Sequence, residues 1–125
     1  MKPGTLLTHW AGDPSQDHRR VTEAALIATR PKPGQSVRSL LMYETLSNSE
    51  WTGGPAFTPN VFVPISAAHV QKKTQALAAF ETELHGWPHP RSSTGIETIA
   101  AMRGMQIGSP FAEAFHMVRT VDAEL

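Results

Sequence analysis

"TLLTHWAGDPSQDHRRVTEAALIATRP", Thr5 to Pro31, decides the fold, because its hydrophobic pattern changes from one period to another within a short span. Thr5 to His9 is a short apolar run between Pro3-Gly4 and the turn-forming residues Ala11 to Pro14, which predicts a buried strand. From His18 the pattern is helical. Val21, Ala24, Ala25 and Ala28 stand at i, i+3, i+4 and i+7 and predict an inward-facing stripe. Asp17 is placed to cap the first turn, and Pro31 forbids continuation beyond Arg30. His9 to Arg20 therefore reads as the loop between a strand and a helix.

Working outward, Val37 to Leu46 is rich in strand formers and apolar on both faces, as in a strand covered on both sides; Asn60 to Ile65 reads as a second of the same kind. Ser66 caps a helix with Val70, Leu77 and Leu84 one heptad apart and Phe80 between them, expected to run to Gly86. Thr94 and Glu97 have capping-box spacing and open a helix with Ile96, Ile99 and Ala100 inward, ending near Gly104 or Gly108. The alternation in Glu113 to Val121 predicts a last strand. The order is β-α-β-β-α-α-β, an α/β layered domain occupying residues 1–125 as a single unit. Its sheet is thin, and the first strand expects neighbours that the rest of the chain does not supply. We therefore expect completion by oligomerisation, or membership of a larger fold.

Composition narrows the function classes. A chain of 125 residues with 40% hydrophobic content and 11 basic against 11 acidic residues is an ordinary globular domain. It has no basic field for nucleic acid or an anionic membrane. The sequence lacks cysteine, which removes disulfides, thiolate nucleophiles and cysteine-bound zinc and is compatible with a reducing interior. Neither a signal-peptide pattern nor a membrane-span pattern is present, and Met1 precedes Lys2-Pro3-Gly4, so a soluble, unprocessed cytoplasmic product of its own reading frame is expected.

The chemistry-bearing residues gather in loops. In open α/β sheets, ligands bind beyond the carboxyl ends of strands, and His9 to Arg19 holds that position. Imidazole and carboxylate are the ligands zinc accepts when cysteine is absent, so His18, with Asp17 beside it and Asp13 upstream, is a candidate site. The plain alternative is a turn at Asp13-Pro14 followed by an N-cap, and on spacing alone that is the commoner use of such a loop. "HPRS", His89 to Ser92, offers imidazole, guanidinium and hydroxyl before a helix, as an oxygen-rich ligand would require, and equally suits a stiff loop with a capping serine. "YETLSNSEW", Tyr43 to Trp51, suits a sugar-binding rim or an edge packed on tryptophan. His69, His85 and His116 are read as structural.

Taken in order, "LLTHWAGDPSQDHRRVTEAALIATRP", "YETLSNSEW", "FTPNVFVPIS" with "KKTQALAAFETEL", "HPRS" and "RGMQIGSPFAEAFHMVR" closely resemble the C-terminal half of the PIG-L/LmbE-like de-N-acetylase family. The resemblance covers nearly the whole chain. It implies a Rossmann-like fold and a zinc-dependent amide hydrolase acting on N-acetylglucosamine-type sugars or related N-acyl amines. Within it His18 corresponds to a metal ligand, Asp13 and Asp17 to acids shaping the catalytic loop, Arg91 to a sugar contact, and Ser15 to a position where many members carry an oxyanion-stabilising histidine or asparagine. The family's N-terminal "HPDDE"-type motif, which supplies further metal ligands and a general base, has no counterpart in these residues. A single imidazole does not hold zinc at useful affinity. The expectation is thus a deacetylase relative, catalytically incomplete as an isolated chain and homo-oligomeric, that at most binds an N-acyl sugar or a metal. The alternative is a hydrolase half completed by another chain; a catalytic site requires either that His9 or Asp13 be recruited or that ligands arrive from that chain.

Overall fold

A computed structural model describes residues 2–51 and 54–121. Its elements follow the expected order: β1 (Thr5–His9), α1 (Gln16–Ala28), β2 (Ser39–Tyr43), β3 (Val61–Ile65), α2 (Ala67–Ala78), α3 (Ser93–Met105) and β4 (Phe111–Thr120). The four strands form one mixed sheet in the order β1-β2-β4-β3. β1 runs parallel to β2, with Thr5 opposite Ser39 and His9 opposite Tyr43, and β2 runs antiparallel to β4. A register shift at Leu40/Leu41 moves the partner from Arg119 to Met117, so Val118 is the extra residue of a bulge. No helix among the described residues is long and apolar enough to cross a membrane.

The chain divides into two compact units, residues 1–61 with 115–125, and residues 62–114. In the first, β2 is the apolar centre: Leu40, Leu41 and Met42 are all buried, as its two-faced apolar sequence predicts. α1 packs on β1. Its buried face is not the predicted alanine stripe. Val21 is 52% exposed and Ala24 and Ala28 are exposed, while Thr22 and Thr29 are buried. Hydrogen bonding explains the exchange, because Thr22 Oγ1 donates to the carbonyl of His9 (3.0 Å) and Thr29 Oγ1 to that of Ala25 (2.8 Å). Satisfied in this way, both hydroxyls enter the interior without the penalty of an unpaired polar group.

In the second unit α2 ends at Ala78, eight residues before the expected Gly86, and leaves Phe80 64% exposed. The chain turns there and brings Glu83 to the guanidinium of Arg91. The cap of α3 is Ser92, whose Oγ accepts from the Gly95 amide at 2.9 Å, in place of the Thr94–Glu97 box. A glycine is required at position 95, since a Cβ there would lie 2.3 Å from the carbonyl oxygen of Pro90. β3 is an edge strand with Val63 45% exposed, in contrast to the two-sided burial expected of it. Pro64 is tolerated there because an edge strand has one side free of ladder bonds.

Candidate functional site

Parallel pairing brings the carboxyl ends of β1 and β2 side by side at His9 and Tyr43, and the loops that leave these two ends build the site. The first loop turns tightly: the amide of Asp13 donates to the carbonyl of Trp10, and Asp13 Oδ1 accepts from the Ser15 amide at 2.8 Å. Ser15 is the N-cap of α1, its hydroxyl accepting from the His18 amide at 3.5 Å. Asp17, expected to cap this helix, instead lies exposed in the first turn. Arg19 clamps the loop from the helix side by donating through Nη1 to the carbonyls of Asp13 (2.9 Å) and Pro14 (2.7 Å). Gly12 passes so close to the Trp10 indole that a Cβ would lie 2.6 Å from Nε1.

Asp13 is the centre of the arrangement. Its side chain is 0% exposed, and its carboxylate accepts from His18 Nδ1 (2.9 Å), from the Ser15 amide and from Asn48 Nδ2 (3.0 Å). Burial pushes the carboxyl group up, but the bonds from His18 and the Ser15 amide, the charge of His18 and the nearby Thr45 hydroxyl outweigh it and hold Asp13 below the usual carboxylate range. Thr45 Oγ1 is buried without a hydrogen bond of ordinary length and angle, though close enough to favour the charged acid. Because Nδ1–H of His18 is committed to Asp13, Nε2 is the nitrogen whose lone pair is available to a ligand. This carboxylate–imidazole couple is the arrangement that orients metal-ligating and proton-accepting histidines alike.

The ring of His9 lies against that of His18, centroids 4.0 Å apart and planes 13° from parallel, with Tyr43 at 4.9 Å on its side. Burial, then the charge of His18, lower the pKa of His9 against an opposing pull from Asp13. Its Nδ1 is buried and has no partner among the described residues. Tyr43 is pushed up, by burial first and then by the Asp13 charge. Beside the loop an open cleft of about 490 Å³ is lined by Trp10, Gly12, Asp13, Arg19 and Pro55. Trp10 is fixed there by Nε1–H donating to the Pro55 carbonyl at 3.1 Å and by edge contacts with Phe57 and His116.

The donor set does not make a zinc site by itself. Among the described residues no group of three or more histidine, cysteine or acidic side chains is arranged to hold a metal ion. Asp13 is already engaged by three protein donors, His18 Nδ1, the Ser15 amide and Asn48 Nδ2. The described residues thus fall short of the three protein ligands that a catalytic zinc takes.

Of the residues the sequence singled out, Asp13, Ser15 and His18 come together, joined by His9. Arg91 lies in the second unit, with its guanidinium held by Glu83 and its Nε buried without a partner among the described residues, on a loop where the rings of His85 and His89 lie 4.1 Å apart and tilted by 33°. Sequence reasoning missed Asn48 and Thr45, which reach Asp13 from the loop after β2. That loop is tied by Thr45 N–H to Ser49 Oγ, Ser47 N–H to Glu50 and Trp51 Nε1–H to the Ser47 carbonyl, with Ser47 at φ 71°. The density of hydrogen-bonding residues in "TLSNSEW" was the available signal.

No family model matches the sequence, and no curated protein matches it. Among solved structures it is similar to the crystal structure of the conserved protein TT1542 from Thermus thermophilus, at 22% identity and a TM-score of 0.68, over 97% of this chain and 54% of that one. The chain thus spans about half the length of that neighbour, and the likeness establishes a shared α/β fold.

Proposed function

We propose that this chain carries one side of an N-acyl amino-sugar deacetylase-type site and, in isolation, binds such a ligand without hydrolysing it. The observation that supports the reading is the buried Asp13 carboxylate holding Nδ1 of His18 at the carboxyl rim of two parallel strands. The couple fixes the ring and presents Nε2 as a hydrogen-bond or proton acceptor, the role of an oriented imidazole at an amide or hydroxyl group. Ser15, whose Oγ already accepts at the helix cap, keeps its proton to donate to an acyl oxygen. Asp17 is exposed in the first turn of α1, one residue before His18. Zinc is the ion the family resemblance implies. With no three histidine, cysteine or acidic side chains of the described residues arranged to hold one ion, the remaining ligands come in this reading from outside them, and the active deacetylase is then the completed assembly. That second form is favoured by the chain spanning 54% of its structural neighbour. A cytoplasmic setting suits a chain that contains no cysteine.

The test is a titration of the purified protein with N-acetylglucosamine, followed by the imidazole NMR signals, with acetate release assayed in parallel. The expected result is a saturable shift of the His18 resonances, absent when glucosamine replaces the N-acetylated sugar and absent in Asp13→Asn, with no acetate formed. No shift with the N-acetylated sugar overturns the binding site. Acetate release from the isolated chain that His18→Ala abolishes overturns its incompleteness.

A further inference from the structure

We propose that the open cleft beside the loop between β1 and α1 binds a small ring-shaped acid, with a carboxylate or phosphate group on the Arg19 guanidinium and the ring that carries it against the Trp10 indole. The inference goes beyond the deacetylase-type reading and does not rest on it, because neither His9 nor His18 lines this cleft. Its walls come from residues 10–14, Arg19, Gly54 and Pro55, all within the first unit. A volume of about 490 Å³ falls among small-molecule sites, which run from roughly 300 to 1,000 Å³.

The occupant follows from what the two side chains have left to offer. Nη1 of Arg19 directs its hydrogens to the carbonyls of Asp13 (2.9 Å) and Pro14 (2.7 Å), which fix the guanidinium without neutralising it. No acid forms an ion pair with it among the described residues, and Nε–H and the hydrogens of Nη2 have no partner there. Those groups make up the Nε/Nη2 edge of the guanidinium, a planar fork that matches two oxygens of a carboxylate or phosphate. Asp13 also lines the cleft, but its side chain is 0% exposed and its carboxylate is turned to His18, the Ser15 amide and Asn48. Arg19 is thus the one charged side chain that the described walls expose. Trp10 has its Nε1–H on the Pro55 carbonyl at 3.1 Å, so its indole presents carbon surface, the partner of a ring rather than of a second polar group. Gly12 is required by that seat, since a Cβ would lie 2.6 Å from Trp10 Nε1 and 2.8 Å from the Pro55 carbonyl oxygen. With both groups held by the fold, a ligand does not have to order them.

Calorimetric titration with glucuronate, glucose 6-phosphate and glucose tests this, with the indole N–H NMR signal of Trp10 reporting where the probe sits. The expected result is saturable binding of at least one of the two acids, accompanied by a shift of the Trp10 signal, and no binding of glucose. Comparison of the two acids tells carboxylate from phosphate. Arg19→Lys keeps the charge and loses the fork, and is expected to weaken the bound acid at least about tenfold. Trp10→Leu keeps Arg19 and loses the ring, and is expected to weaken it about fivefold. Failure of both acids to bind overturns the proposal, as does glucose binding equally well or an affinity unchanged in Arg19→Lys. Acid binding that shifts His18 and leaves Trp10 unmoved also overturns it, by placing the ligand at the other site. Should Arg19→Lys lose the loop, seen as a displaced Trp10 signal before any probe is added, Trp10→Leu and the glucose comparison decide. Failure here leaves the N-acetylglucosamine titration at His18 standing, and the converse holds.

Discussion

Two loops of this molecule carry the same kinds of side chain and use them in opposite ways. Between β1 and α1, a carboxylate with 0% side-chain exposure gathers an imidazole, an amide side chain and a backbone N–H, with three different segments meeting on it. Between α2 and α3, the ion pair Arg91–Glu83 has its side chains 28% and 40% exposed and joins two parts of one connecting segment. Burial makes the difference. A charge taken out of water must have its lone pairs satisfied by fixed donors, so the first loop is rigid and electrostatically biased, whereas water shares the charge of the second.

The largest test of that contrast removes the buried acid. Asp13→Ala leaves the Ser15 amide, Asn48 and His18 without their acceptor and is expected to cost about 3 kcal/mol of stability in chemical denaturation. A loss no greater than that of a surface variant would place the carboxylate in water. Next come the close backbone approaches that shape each loop. Gly12→Ala drives a methyl group into Trp10 and the Pro55 carbonyl, Gly95→Ala into the Pro90 carbonyl, and each is expected to cost about 2 kcal/mol. Thermal melting checks both, and a neutral Gly12→Ala would mean that the Trp10 ring is free to move away.

Acid acts on the first loop through two groups. His9 is held below its ordinary 6.5, so the folded state disfavours its protonated form and the unfolded chain binds more protons as pH falls. The stability owed to neutral His9 is complete above pH 6.5 and is lost as pH falls through the lowered value. Asp13 adds a second loss, present in full above 3.8 and disappearing as its own depressed value is crossed. Denaturation midpoints should therefore fall between about pH 7.5 and about pH 5.5, and His9→Gln should flatten that slope. An unchanged slope would show that another group titrates. The smallest effect is expected at Arg91→Ala, within about 1 kcal/mol, because its partner is partly solvated.

How much of this was legible follows from the range of the interactions. The bounds of β1 were readable to the residue, since a short apolar run bounded by turn formers depends on local pattern, but its burial was not: the run predicts a buried strand, whereas β1 is an edge strand in which Thr8 alone is buried and Leu7 is 52% exposed. The face of α1 was not: counting apolar positions selects Val21 and the alanines, but two threonines bond to backbone carbonyls, one of them at the end of β1, and occupy the interior. The cap was similarly displaced. Asp17 and Ser15 are both good capping residues, and the choice fell to Ser15 because Asp13 had already fixed the amide of that residue.

The sequence by itself determined the order of strands and helices and the placing of an acid and imidazole between the first strand and the first helix, because turn chemistry and hydrophobic period act over a few residues. Only the tertiary structure decided that Asp13, rather than Asp17, is the acid bonded to His18, that His9 stacks on that ring, and that Asn48 closes the network from 35 residues away. Those choices depend on two parallel strands ending side by side, an arrangement set by long-range pairing and burial that no local pattern encodes.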